Sequence, residues 1–299
     1  MRLATRGSPL AQWQAEWVAA RLGGDVELVV VETVGDRRQD VPLTVIGGQG
    51  VFVKEVQAAV LEGRADAAVH SAKDLPSVTP PGLRLAAICE RDDPRDALVG
   101  ATLGALPTGG RVATGSVRRR AQLAHLRPDL TFADLRGNIA TRLAKAEGFD
   151  AIVMAAAALR RLGLAERIAQ ALDPEVVVPQ VGQGAIAVEC RDDDAETAKR
   201  LAIVDDAVTR TAVEAERAFL ATLGGGCTLP VGAFATLDGA RISLSAVIAT
   251  PDGRICLRHW DQGTDPVALG RAVAEHLLHA SGGAHLLGWP GLSGQEREL

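Results

Sequence analysis

Two apolar spacings alternate along the chain. RLATR (2–6) reads as a short strand, and Ser8 and Pro9 then supply an N-cap and a first helical residue ahead of Leu10, Trp13 and Trp17 at helical spacing. VELVVVETV (26–34) predicts a buried strand, FVKEVQAAVLEG (52–63) a helix closed by Gly63, and DAAVHS (66–71) and RLAAICER (84–91) two further strands. The charged stretch ERDDPRD (90–96) predicts a linker. The alternation then restarts: RVATG (111–115) as strand, SVRRRAQLAHL (116–126) as helix, a short strand near TFADL (131–135), NIATRLAKAEG (138–148) as helix and DAIVMAA (150–156) as strand. Strands and helices alternating at this spacing predict parallel sheets with crossover helices. LATRGS (3–8) and VATGS (112–116) each end a strand in Ala-Thr and open a helix through Gly-Ser, a short repeat that points to two related α/β units.

The last third has a different rhythm. Val208, Ala212, Ala215, Phe219 and Leu223 recur at helical spacing, so a helix runs from about Ala207 to Leu223 and ends at glycines. Strands follow near LPVGAFATL, RISLSAVIA and RICLRHW, the last two joined by an Asp252-Gly253 turn, and a helix spans Asp265 to about Ala280. This is a small α+β domain starting near residue 206.

Composition adds exclusions. The 299 residues carry a net charge of −5, with 3% aromatics, which disfavours a nucleic-acid binder built on interleaved aromatics and a basic total. No apolar run nears the ~18 residues of a membrane span, and MRLATRGSPLAQWQ lacks a signal peptide's apolar core. Four cysteines without C-x-x-C spacing indicate neither a zinc site nor a disulfide framework, so a reduced, cytoplasmic setting is expected. Seven arginines nevertheless crowd Arg111–Arg142 against only Asp129 and Asp134. A basic island on an acidic chain suggests a specific small anion.

The anion has candidate seats. Arg6-Gly7-Ser8, Thr114-Gly115-Ser116 with Arg118 and Arg119, and Arg136-Gly137-Asn138 with Arg142 each set arginine beside a helix start. Free N–H groups and the dipole make such starts anion sites, and arginine adds a fork matched to carboxylate or phosphate. Capping with surface ion pairs is the plainer reading of any one of them. Their glycine spacing matches neither the Walker nor the dinucleotide pattern, so nucleotides are not indicated. In AVHSAKDLPS (68–77), a strand runs into Ser71, Lys73 and Asp74 before Pro76 turns the chain. This is either a surface turn or an ionised aspartate facing the arginines, able to steady a developing cation. Cys227, in LGGGCTLP, follows a helix C-terminus, where the dipole opposes a thiolate, and no histidine lies nearby in sequence. It is either a loop cysteine without a role or a point of attachment for an electrophile, not a protease-like nucleophile.

TRGSPLA, GGQGVFVKE, HSAKDLP, ERDDPRDA, LRGNIATRL, RRLGL, VGQGA and ERAFLATLGGGCTLPVGA, in this order, resemble the porphobilinogen deaminase (hydroxymethylbilane synthase) family. The resemblance implies an α/β fold of two periplasmic-binding-protein-like (type II) lobes plus a small C-terminal α+β domain. It further implies a discontinuous first lobe of residues 1–90 plus 183–203, a second lobe of 95–180 and a cofactor-bearing domain of 206–299. It implies a transferase that condenses four porphobilinogen molecules on a dipyrromethane primer held by a thioether to Cys227. Ammonia is lost at each step, an azafulvenium cation is the electrophile, and hydrolysis releases hydroxymethylbilane. Asp74 matches the catalytic aspartate. Ser71, Lys73, Thr114, Ser116, Arg118, Arg119 and Arg142 match cofactor-binding positions, and Arg6, Ser8, Arg136 and Arg161 match substrate-binding ones. A cytoplasmic monomer with no metal, nucleic acid or membrane partner is implied. Gly115 stands where many relatives carry serine, Gln49 replaces a common lysine, and Leu229 departs from a β-branched preference. The alternative, a non-catalytic two-lobed small-anion binding protein, predicts a secretion signal and no special cysteine.

Overall fold

The computed structural model describes residues 1–33, 50, 52–224 and 229–287. The first sheet is built from β1 (Arg2–Arg6), β2 (Glu27–Val31), β3 (Ala67–Ser71), β4 (Leu83–Ile88) and β10 (Ile186–Arg191), in the order β2-β1-β3-β10-β4. β1 pairs in parallel with β2 and β3, while β10 runs antiparallel to both its neighbours. Consecutive strand residues point to opposite faces, so Leu3 and Ala4 seed two separate cores. Helix α1 (Pro9–Leu22) packs Ala15, Val18 and Leu22 on the Leu3 side with Val69 and Val188. Helix α2 (Lys54–Leu61) packs Val56, Ala59 and Val60 on the Ala4 side with Ala68.

The second sheet repeats the first. β5 (Asp96–Gly100), β6 (Arg111–Ala113), β7 (Thr131–Ala133), β8 (Ala151–Ala155) and β9 (Gln170–Leu172) lie in the order β7-β6-β8-β5-β9. Position for position, β6, β7 and β8 stand where β1, β2 and β3 stand, and the antiparallel strand is again fourth. Helices α3 (Val117–Leu126), α4 (Ile139–Ala144) and α5 (Ala156–Arg161) complete this unit. The chain thus crosses between sheets twice, out through residues 89–95 and back through 178–185, and each crossing delivers an antiparallel strand. The two lobes thus share one strand order, each with its fourth strand antiparallel, as expected of a two-lobed α/β pair.

Purely parallel sheets were expected from the alternation, and the two crossing strands are what overturn that. DALVG, five residues directly behind the charged linker, carries no period of its own. Its strand character comes from pairing on both sides with β8 and β9.

After α6 (Ala195–Leu201), helix α7 (Ala207–Thr222) and helix α8 (Pro266–Glu275) pack on one face of the antiparallel sheet β11 (Val231–Asp238), β12 (Arg241–Ala249) and β13 (Cys256–Gly263), with a short α9 (Gly283–Leu287) last. Phe219, Leu244, Leu269 and Val273 form the centre of that core. Asp206 and Asp265 cap α7 and α8 through their side chains. Val208 departs from the helical stripe: it is 58% exposed in the first turn of α7, before the helix reaches its sheet. The predicted turn at Asp252-Gly253 joins β12 to β13 and docks on α3, where the Gly253 carbonyl oxygen lies 3.0 Å from His125 Nδ1. Among the described residues no helix is long and apolar enough to cross a membrane.

Candidate active site

β3 is buried along nearly its whole length, and its carboxyl end emerges as a single 3-10 turn, Ala72–Asp74, closed by buried Leu75. Lys73 and Asp74 are half-buried. Ser71 Oγ exchanges hydrogen bonds with the amide of Gln14 on α1, at 2.9 and 3.1 Å. Among the described residues Asp74 makes no hydrogen bond or ion pair, although its charge is felt by Lys73 and Arg142. A carboxylate at a strand end that none of the described residues pairs with is available to a ligand.

Lys73 Nζ donates to Gln183 Oε1 at 3.3 Å. Burial pushes its ammonium down to about 8, the Arg119 cation adds to that, and Asp74 and Asp96 oppose it.

Asp96, the first residue of β5, is fully buried and organises the opposite wall. Arg118 Nη1 donates to its Oδ2 at 2.6 Å, Arg119 Nε to its Oδ1 at 2.8 Å and Gln183 Nε2 to its Oδ1 at 2.9 Å. Burial alone would raise this carboxyl, but the two guanidiniums overcome it and hold Asp96 well below the ordinary carboxylate range. Arg118 Nη1 also donates to the Val178 carbonyl, Arg119 Nη1 to the Val153 carbonyl and Arg119 Nη2 to Gln183 Oε1, and among the described residues the buried Arg118 Nε has no hydrogen-bond partner. One aspartate is therefore set against two arginines with Lys73 close by, and the wall keeps a positive surplus.

The structure brings Lys73, Ser116 and Arg118 together along one open cleft, with Gln180, Arg217, Leu220 and Leu229 completing its lining. Thr114 and Ser116 tighten the start of α3: Thr114 Oγ1 accepts from the Ser116 N–H at 3.2 Å, and Ser116 Oγ accepts from the Arg119 N–H at 3.4 Å. At Gly115 an added Cβ would meet the Leu135 carbonyl oxygen at 2.9 Å, so the backbone here sits too close for a serine without a shift. Ser8 caps α1 in the same manner, and Arg6 stacks over the Phe52 ring at 4.3 Å. Arg142 Nε donates to the Gly137 carbonyl at 2.7 Å. Burial pushes the Arg142 guanidinium down to about 10, with Arg119 and Arg136 adding and Asp74 opposing, which places it in the same field as the aspartate. Arg136 is half-buried and donates to none of the described residues; burial lowers its pKa and Asp134 opposes that.

Arg161 lies elsewhere. Its side chain is 6% exposed, donates to the Gly184 carbonyl at 2.5 Å, reaches Asp92 at 3.7 Å and faces the Trp13 ring at 5.6 Å. It bridges the two lobes at the crossings and, like Asp74, Arg119 and Arg142, is not among the residues lining the cleft. Cys227 and Gln49 lie outside the described residues, but the flanks of Cys227 are informative: α7 ends at Thr222 on one side, and Leu229 lines the cleft on the other.

Three contributors were not singled out from the sequence. Asp96 belonged to a stretch read only as a linker. Gln183 is fully buried and joins Lys73 to Arg119 and Asp96, yet VGQGA offers no chemical signal beyond its glycines. Arg217 follows a helical stripe of apolar residues, and its guanidinium donates to the Ser77 carbonyl at 3.1 Å from the cleft wall. Its place could have been read from α7 only by knowing which face meets the Lys73 turn.

The donor set suits a polycarboxylate such as the dipyrromethane group: Lys73, Arg118 and Arg217 line the cleft with no carboxylate among its lining residues, and among the described residues Arg118 Nε has no hydrogen-bond partner. Among the described residues no cluster could hold a metal ion. The comparisons point the same way. A family model described as the dipyromethane cofactor binding domain of porphobilinogen deaminase matches residues 1–199, and one described as the C-terminal domain of porphobilinogen deaminase matches residues 210–279. A protein named porphobilinogen deaminase from Roseiflexus sp. (strain RS-1) is 51% identical over 298 residues, covering 96% of this chain and 98% of its own length. One of the same name from Acidithiobacillus ferrooxidans (strain ATCC 53993 / BNL-5-31) is 49% identical over 297 residues, covering 96% and 97%. A solved TRAP periplasmic solute binding protein from Desulfovibrio salexigens DSM2638 is 12% identical with a TM-score of 0.40, covering 69% of this chain and 72% of that one, a likeness too distant to carry weight.

Proposed function

The chain belongs to the porphobilinogen deaminase family, and from that premise we propose how its own residues divide the work. The enzyme is a transferase of tetrapyrrole biosynthesis: it joins four porphobilinogen molecules head to tail with loss of ammonia, then hydrolyses the chain to hydroxymethylbilane. Its dipyrromethane cofactor supplies the pyrrole carbon from which the chain grows.

Asp74 is the catalytic residue. It binds pyrrole N–H groups and stabilises the cation left when porphobilinogen loses ammonia. The single observation that carries this assignment is its half-buried carboxylate, unpaired among the described residues, at the end of a buried strand and within the field of Lys73 and Arg142. Lys73, Ser71, Thr114, Ser116, Arg118, Arg119 and Arg142 hold the cofactor carboxylates, and Arg6, Ser8 and Arg136 those of the substrate. Arg161 serves at the crossings, through Gly184 and Asp92, rather than directly on substrate. Cys227 carries the cofactor through a thioether. The units are residues 1–90 with 183–203, 95–180 and 206–299, in a cytoplasmic monomer.

Lys73 gives a pH test. It binds carboxylate as the ammonium, which the free site loses near pH 8. Uptake of the cofactor by the apo-protein is therefore expected to weaken as pH rises through 8, and Lys73→Gln should remove that limb while lowering uptake below it. Stability runs the other way. Between pH 8 and the unfolded value near 10.4 the unfolded chain binds the extra proton, so this residue's contribution to folding stability rises with pH. An alkaline limb identical in Lys73→Gln would refute the assignment.

A further inference from the structure

Glu216, on α7, is fully buried, and both of its oxygens are in use. Arg91 donates to them in parallel, Nη1 to Oε1 and Nη2 to Oε2, each at 2.8 Å. Oε2 also accepts from the Gly182 N–H at 2.7 Å, and Oε1 from the Ala235 N–H at 2.9 Å. One carboxylate thus ties together the outward crossing (Arg91), the returning crossing (Gly182) and the third sheet (Ala235). A buried ion pair gains little stability over well-packed apolar residues. What this one supplies is register between three segments.

The returning crossing, in turn, grips the catalytic turn. Gln180 Nε2 donates to the Lys73 carbonyl at 3.1 Å, and the Ala72 N–H donates to the Ala185 carbonyl at 3.0 Å. Between these two bonds Gly182, at φ +70°, lies so close that a Cβ would stand 3.1 Å from the Ala72 carbonyl carbon and 3.2 Å from the Lys73 nitrogen. There is no slack between residues 180–185 and residues 72–73, so a displacement of Gly182 is passed directly to Lys73 and Asp74.

We propose that Glu216, with Arg91 as its counter-ion, is a positioning residue: through Gly182 it sets the Lys73–Asp74 turn in register with α7 and the cleft wall that α7 contributes. This rests on the assignment of Asp74 made above. Misplacing a catalytic group by about 1 Å can cost around a hundredfold in rate, so a small loosening here has a measurable effect on turnover while leaving the carboxylate-binding arginines in place.

The test compares cofactor-loaded Glu216→Gln, Gly182→Ala, their double variant and Arg91→Lys with the parent enzyme, measuring kcat and KM well below the unfolding temperature, and thermal stability separately. Asp74→Asn is run alongside. The expected result is a fall in kcat of roughly tenfold or more in Glu216→Gln and in Gly182→Ala, with KM within about twofold. The double variant should fall no further than the worse single one, since both act through one contact. Arg91→Lys, which keeps the charge and loses the fork, should fall in between. Lowered thermal stability with parental kcat in the folded variants would overturn the proposal, because a purely structural pair would give that result. If Glu216→Gln does not fold, Gly182→Ala and Arg91→Lys decide the matter by the same criterion. Turnover retained by Asp74→Asn would instead refute the assignment of Asp74, whereas inactive Asp74→Asn beside fully active Glu216→Gln and Gly182→Ala refutes the positioning role alone.

Discussion

Asp74→Asn is expected to leave a folded, cofactor-loaded protein whose ammonia release from porphobilinogen is slowed roughly 10²–10³-fold, the usual effect of removing one well-placed stabilising group. The substitution keeps the size and a hydrogen-bonding oxygen of the side chain but removes the charge. Among the described residues Asp74 has no structural partner to lose, so its replacement should cost little stability. That separation makes the experiment clean: the loss belongs to charge development in the reaction and not to the fold. An intact mass unchanged apart from the substitution, together with the slowed rate, is the combination expected. Near-normal ammonia release would contradict the role.

The second large effect concerns stability. Asp96→Ala leaves Arg118 and Arg119 buried with no counter-charge, with Lys73 nearby as a third cation. Removing one partner of a buried pair typically costs about 3–5 kcal/mol, and at roughly 2–4 °C per kcal/mol for a large chain the melting temperature should fall by about 10 °C. The sign of the pH dependence follows from the depressed carboxyl. The contribution of Asp96 is fully present above its unfolded value near 3.9, and it fades as pH falls toward the lower folded value. The parent and variant unfolding curves should therefore converge only in strong acid. A melting temperature within a degree or two of the parent at neutral pH would show that the cluster holds nothing together.

The repeat LATRGS and VATGS correctly marked two units, because β1 and β6 occupy equivalent places in their sheets. The Asp74 turn was legible because an apolar strand that runs straight into Lys-Asp-Leu-Pro delivers a lysine and a carboxylate to the carboxyl end of its sheet, where open α/β sheets bind ligands. The crossing strands were not legible from periodicity or composition, which record no pairing partner: only the family resemblance implied that 183–203 returns to the first lobe, where β10 pairs with β3 and β4. The arginines were legible as cations but not as to their partners. Arg118 and Arg119 beside a helix start suggested surface ion pairs or an anion seat, and their buried partner Asp96 was hidden in a stretch whose charge predicts a linker. The contacts of Arg161 with Gly184 and Asp92 at the crossings were not legible, because no local pattern records which distant segment a guanidinium meets. Gln183 was silent for the same reason, since its meaning lies in the three charged side chains it joins.

The central claim is that Asp74, between the cleft-lining Lys73 and Leu75 in the chain, works on a pyrrole chain anchored to Cys227. It is tested most directly by the intact mass of the purified, active protein beside its Cys227→Ser variant. The active protein should exceed the mass of its bare chain by one dipyrromethane unit, with the added mass recovered on the peptide containing Cys227, and Cys227→Ser should lack it and be inactive. Active protein at the bare-chain mass, or added mass that survives in Cys227→Ser, would contradict the claim.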